Sequence, residues 1–313
     1  MILRCRLLLL IFFTSSFSLA NALASDNSSL SKPLEHGLTK NLTIAVTIRP
    51  LHSLLSIIMQ GTGSPVLLLD SNQSPHHYSL RPSQRSTLAH SDILFWIGEP
   101  LESFMPRVLS ALPKKVKVIE LINSSGLTLL APRSEHDDHG HHQLDPHIWL
   151  SIDNAIIMAG VMADELSRLD EQRRNIYQTN LKKLTIRLQQ IKKEIEKSFK
   201  ETDFNYLVYH DAFQYFEQQI NLKPLAAITT DEEHAPGIRH LSEINQLISK
   251  NKISCLIYNT PTLPAITRNL VNQKTTKKIY LEPLGQNLES GPDLYFNLMQ
   301  SLSTGYQQCS KAR

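Results

Sequence analysis

The amino-acid sequence predicts an α/β protein made of two similar halves, each a mainly parallel sheet covered by helices, with one long helix between them. Three observations lead there. Short β-branched and apolar runs alternate with stretches of helical spacing from residue 42 to residue 119. The same alternation starts again at Tyr206 and continues to Tyr306. Between the two, Leu181, Leu184, Leu188, Ile191 and Ile195 repeat at three and four residues, with Ile176 and Phe199 near the ends. Alternating strand and helix signals favour parallel strands joined by crossover helices. A three-and-four repeat marks one apolar helix face.

In the first half, residues 42–48 form a β-branched run closed by Arg49 and Pro50. Residues 51–59 have helical spacing and stop at Gly61 and Gly63, a helix terminator. Residues 66–69 read as the next strand, and Ser83 as the N-cap of a short helix to His90. Residues 93–97 are a buried strand stopped by Gly98, residues 101–112 a helix, and residues 116–119 a strand.

A helix over residues 154–169 leads into the long one, which would run about 43 Å over residues 171–199 at 1.5 Å per residue. In the second half, strands are expected at 206–209, 225–228, 255–258 and 279–281. Helices are expected after His210, over 238–249, over 263–272 and over 292–306.

The first residues read as a targeting segment. Arg4 and Arg6 precede an apolar run over residues 7–13, and Ala22-Leu-Ala24 is a small-residue cleavage site. That run is too short to span a bilayer, and Cys5 lies ahead of it, misplaced for lipid attachment at the cleavage point. The expectation is an exported chain with a signal peptide over residues 1–24, no lipid anchor and no membrane insertion. Lys and Arg number 32 against 29 acids. Cleavage would remove two arginines and no acid, leaving a formal charge of +1, which gives no basic field for nucleic acid or anionic lipid. Cys255 and Cys309 would then be the two remaining cysteines, and an even pair in an oxidising compartment reads as one disulfide.

Four stretches carry candidate metal ligands, each at or just beyond an apolar run. They are Ser74-Pro-His-His-Tyr-Ser-Leu-Arg-Pro-Ser83, Asp145-Pro-His147-Ile-Trp149, Tyr209-His210-Asp211 and Tyr280-Leu-Glu282-Pro-Leu-Gly285. Loops at strand ends are where α/β folds place ligand-handling groups. Three imidazoles and one carboxylate suit Zn²⁺ first, with Cu²⁺ and Ni²⁺ as alternatives, whereas Mn²⁺ and Mg²⁺ prefer more oxygen. Counted from the first histidine of the His76–His77 pair, the spacings are 71, 63 and 72 residues, so the site is assembled by folding rather than by a local helix motif. The spacing leaves the choice between His76 and His77 open.

One stretch breaks the pattern. Residues 134–144 place His136, His139, His141 and His142 among acids with no apolar anchor, which reads as an accessory metal-attracting loop. Such a loop must be ordered at entropic cost before it can hold a metal, so the main site is expected elsewhere.

The motifs around His76, His147, His210 and Glu282 resemble those of the zinc-uptake solute-binding proteins of bacterial ABC transporters. These are the ZnuA-like members of a cluster that also holds manganese binders and shares a TroA-like fold. The resemblance spans essentially the whole chain after the signal segment. It implies two (β/α)-type lobes joined by a long rigid helix, with the metal in the interlobe cleft. It implies His76, rather than His77, with His147 and His210 as the three histidine ligands. The His-rich loop and the Cys255–Cys309 pair also resemble the zinc branch. Manganese-type relatives carry a carboxylate where His210 stands. Three departures stand out: Glu282 occupies a position commonly held by Asp, Pro75 replaces an acidic residue found in some members, and the His loop is short.

The expected organisation is a signal peptide (1–24), an N-terminal lobe (40–152) carrying the loop 134–144, a helical region (153–202) and a C-terminal lobe (203–313). The expected function is periplasmic zinc capture by a monomer, with delivery to an ABC permease and its ATPase and no catalytic residue. Rival expectations are a manganese or other divalent-metal carrier, a secreted zinc hydrolase, and a surface adhesin or metal buffer.

Overall fold

The strand-type runs of the two halves form two four-stranded parallel sheets of the same design. A computed structural model of the chain describes residues 42–70, 74–133, 144–229, 236–271 and 275–311. In the first half the chain runs β1 (Ile44–Val46), α1 (Arg49–Ile58), β2 (Val66–Leu67), α2 (Pro82–His90), β3 (Ile93–Trp96), α3 (Met105–Leu109) and β4 (Lys117–Glu120). Helices α4 (Ile152–Leu169) and α5 (Arg174–Ser198) follow. The second half runs β5 (Tyr206–His210), α6 (Gln214–Gln219), β6 (Ala226–Thr229), α7 (Ile238–Lys250), β7 (Cys255–Tyr258), α8 (Thr267–Leu270), β8 (Lys277–Tyr280) and α9 (Leu294–Ser310).

The strand orders are β2-β1-β3-β4 and β6-β5-β7-β8. In each sheet the order therefore reverses beside the first strand, between β1 and β3 and between β5 and β7. Ligands in open parallel sheets bind beyond the strand C-termini at such a switch point.

Burial follows from the pattern of residues. Ile44, Ala45, Val46, Ile93, Leu94 and Phe95 are fully buried, as strands covered on both faces must be. In the second sheet the faces alternate. Tyr206, Val208, Cys255 and Ile257 join one apolar core that also holds the first sheet, while Leu207, Tyr209 and Leu256 pack with Ile228, Ile244 and Ile253 on the outer side. Both sheets thus lie against a shared core.

Helix α5 ties the halves together. Its 25 residues span about 38 Å. Asn180 donates to the carbonyls of Ile58 and Gln60 at the end of α1, at 3.0 and 2.9 Å. Arg187 pairs with Asp293 at 2.8 Å and lies over the Phe296 ring on the other half.

Several boundaries differ from the sequence expectation. The long helix starts later, after a 3₁₀ turn at Glu171–Arg173, and it buries Tyr177 where Ile176 was expected. Helix α2 begins at Pro82 rather than after Ser83. Proline presets the first helical φ, and Gln84 reaches back to the Arg81 N–H at 2.8 Å. Helix α3 is short because the Glu102 carboxylate takes the Gly98 and Ile97 N–H groups, holding this stretch in turns. Helix α8 is confined to four residues after a turn in which Thr267 bonds the Pro264 carbonyl.

Cys255 and Cys309 form a disulfide across 54 residues, with Cα atoms 5.4 Å apart. It fastens the last turn of α9 to the start of β7. Among the described residues no helix is long and apolar enough to cross a membrane. The expected signal segment with Cys5 lies outside the described residues, as do His136, His139, His141 and His142.

Candidate metal centre

Each histidine of the site is delivered by a different local device. His76 sits in a 3₁₀ turn, Pro75–His77, opened by Ser74, whose hydroxyl accepts the His76 N–H at 3.4 Å. Ser103 steadies the same turn by donating to the His76 carbonyl at 3.0 Å. His147 precedes the 3₁₀ turn Ile148–Leu150, whose three residues are buried. His210 is the last residue of β5, at the switch point of the second sheet.

These three imidazoles converge. Their ligand nitrogens lie within 4.8 Å of one another. Ring centroids are 5.6 Å apart for His76 and His147, 5.9 Å for His76 and His210, and 5.1 Å for His147 and His210. His147 and His210 are buried, His76 is half-buried and His77 is exposed. Of the two adjacent histidines, His76 is thus the one in the cluster. A tetrahedral zinc with Zn–N bonds of about 2.0–2.1 Å would place its nitrogens roughly 3.4 Å apart.

The outer nitrogens are held. His147 Nδ1 is 2.8 Å from Asp145 Oδ1, and His147 also donates its backbone N–H to that oxygen at 3.0 Å. A carboxylate behind Nδ1 fixes the tautomer that presents Nε2 to a metal. His210 Nδ1 lies 3.0 Å from the side-chain amide of Asn259, the residue after β7. The structure sets Asn259 Nδ2 against this nitrogen; only with the amide turned so that Oδ1 faces the ring does Nδ1–H donate and Nε2 offer its lone pair.

Two carboxyls, Asp145 and Asp211, lie beside the group. Burial pushes the Asp145 carboxyl up to about 7, against the opposing pull of the His147 N–H, Arg133 and His210. Burial also raises Asp211 and Glu217, and Arg133 opposes the shift in both. Arg133 pairs with Asp211 at 3.0 Å and with Glu217, and it bonds Gln214 at 3.2 Å. It therefore joins the segment before the His-rich loop to the strand end that carries His210.

Glu282 stands differently. It lies two residues beyond β8, buried, and is not one of the three-histidine group. Its carboxylate folds back onto its own loop, accepting from Leu284 N at 3.0 Å and from Gln286 N at 2.5 Å. Trp149, two residues after His147, donates to the Pro283 carbonyl at 2.8 Å and ties this loop to the first half.

Sequence reasoning did not single out Asn259 or Arg133, and it read Asp145 only as part of a motif. The Asp-x-His spacing of residues 145 and 147 was the available signal for Asp145. The only signal for Asn259 was its place directly after an apolar strand run.

Two parallel-sheet halves with a three-imidazole group among carboxylates define a two-lobed α/β protein with a transition-metal-type donor set. The sequence is 30% identical over 303 residues to the high-affinity zinc uptake system protein ZnuA of Brucella abortus, covering 85% of this chain and 91% of that protein. The fold matches the SBP FpvC of Pseudomonas aeruginosa in complex with Mn²⁺, with a TM-score of 0.76 at 19% identity over 87% of this chain and 99% of that one. It also matches the laminin-binding protein Lmb of Streptococcus agalactiae, described as bifunctional with adhesin and metal transporting activity. There the TM-score is 0.74 at 21% identity, over 86% of this chain and all of the other. The chain belongs to the family of periplasmic zinc-uptake complex component A, whose sequence model matches residues 44–309.

Proposed function

We propose that the chain captures Zn²⁺ in the periplasm and hands it to the membrane permease of an ABC transporter with its ATPase. The observation that carries this reading is the convergence of His76, His147 and His210 within 4.8 Å. Three neutral imidazoles suit zinc better than manganese, which favours oxygen donors. Glu282 supplies the fourth donor, directly or through a water it holds. His76 and His147 come from the N-terminal lobe (40–152), His210 and Glu282 from the C-terminal lobe (203–313), and the helices of 153–202 connect them. Zinc is cargo, and no covalent chemistry is assigned to the chain.

In this reading the chain is exported by cleavage of residues 1–24 and acts as a monomer. Residues 134–144 collect zinc more weakly through His136, His139, His141 and His142. Arg133, the residue before this stretch, pairs with Asp211 beside His210. The test is zinc-65 uptake at limiting zinc by cells lacking the chain and supplied with it in trans. The intact chain should restore uptake and His210→Ala should not. Equal uptake with both would refute the reading.

A further inference from the structure

We propose that Arg49 is the positioning residue for the fourth donor, clasping residues 285–288 across the two halves so that the Glu282 carboxylate is fixed in one place. The inference rests on the zinc reading above. Arg49 opens α1, directly beyond the C-terminal end of β1. Its Nη1 donates to the carbonyls of Gly285, Gln286 and Leu288 at 3.5, 3.4 and 3.3 Å. Its Nη2 donates to the Asp70 carbonyl at 3.5 Å. Asp70 lies on the chain leading to the His76 turn, whereas residues 285–288 follow Glu282. One guanidinium thus joins the approaches to two proposed ligands from opposite halves.

The route from Arg49 to Glu282 is short. Gln286 is held at both ends: its carbonyl faces Arg49, and its N–H donates to the Glu282 carboxylate. Gly285 makes the intervening turn with φ +69°, where a Cβ would meet the Leu294 side chain at 3.0 Å. The loop therefore carries Glu282 as a unit, and its place relative to the first-half imidazoles depends on what grips it from that side. Arg49 is one grip and the Trp149–Pro283 bond the other. The two N–H groups of Nη1 are shared among three carbonyls and Nη2 reaches the fourth, a two-nitrogen span that a lysine ammonium cannot reproduce.

The test is a double-mutant cycle on zinc affinity, read by chelator competition with the purified mature chain. Residues that orient metal ligands typically change affinity by about 10–100-fold when removed. Glu282→Gln and Arg49→Gln should each weaken zinc binding by about 10-fold or more. The double variant should stay within about twofold of Glu282→Gln, because removing the carboxylate leaves Arg49 nothing to position. Arg49→Lys should behave as Arg49→Gln, and it carries the cycle should the glutamine variant fail to fold. Multiplying effects, no effect from either single change, or unfolding of both Arg49 variants would make Arg49 merely structural and overturn the proposal. Absence of tight zinc binding by the unaltered chain, or its retention in His210→Ala, would instead defeat the zinc reading itself.

Discussion

Asp145 Oδ1 contacts His147 twice, through the ring Nδ1 at 2.8 Å and the backbone N–H at 3.0 Å. One carboxylate oxygen therefore fixes both the main chain at His147 and the direction of its imidazole. The ring's position between Trp149 and His210, at centroid distances of 5.3 and 5.1 Å, leaves Nε2 as the metal-facing atom.

Asp145→Ala should weaken zinc binding by about 10–100-fold. Asp145→Asn should cost less, because the amide oxygen can keep the geometry without the charge. Chelator competition on the two variants measures both effects, and unchanged affinity in Asp145→Ala would count against the orienting role.

The metal-free protein should lose stability as pH rises through neutrality. Burial lifts Glu102 from an ordinary 4.5 to about 7, despite opposing bonds from the Thr47 hydroxyl and the Gly98 and Ile97 N–H groups. A raised carboxyl binds its proton more tightly in the folded state. Its contribution is complete below about 4.5 and is lost as pH climbs through about 7. The loss is on the order of 3 kcal/mol, and Asp145 acts with the same sign. Urea unfolding of the metal-free chain at pH 5 and pH 8 should show the decline, and Glu102→Gln should flatten it. An unchanged slope in that variant would assign the decline to other groups.

The Cys255–Cys309 bond should matter for stability and not for metal. It sits at the start of β7, at the opposite end of that strand from Asn259, which backs His210. Closing a 54-residue loop is worth about 4 kcal/mol in the chain-entropy model. Cys309→Ser should lower unfolding free energy by roughly 2–4 kcal/mol while zinc affinity stays within about twofold. A large loss of affinity in the folded variant would show that the bond reaches the site.

Much of this architecture could be read from the chain because burial leaves local signatures. The run Cys255-Leu-Ile-Tyr258 forms a strand at those same residues, and the stripe of Leu184, Leu188 and Ile195 is buried in α5. The three histidines were legible because each ends an apolar run or opens a turn beside one. What escaped is long-range and polar. The Asn259 contact with His210 spans 49 residues and the Arg49 contact with Gln286 spans 237, and neither has a periodic signal. Tyr177 lies four residues before Leu181 and seven before Leu184, on the buried face of α5, whereas Ile176 is exposed; choosing the more hydrophobic neighbour put the stripe one residue out of phase.

The central claim is one tight zinc site built on His76, His147 and His210. Competitive calorimetry on the purified mature chain tests it most directly, with Zn²⁺ titrated against Mn²⁺ into the unaltered protein and into His76→Ala, His77→Ala, His147→Ala and His210→Ala. The account predicts one tight zinc site that outcompetes manganese, persists in His77→Ala and disappears in the other three. Tight zinc binding retained in all four variants, or lost in His77→Ala but kept in His76→Ala, would contradict it.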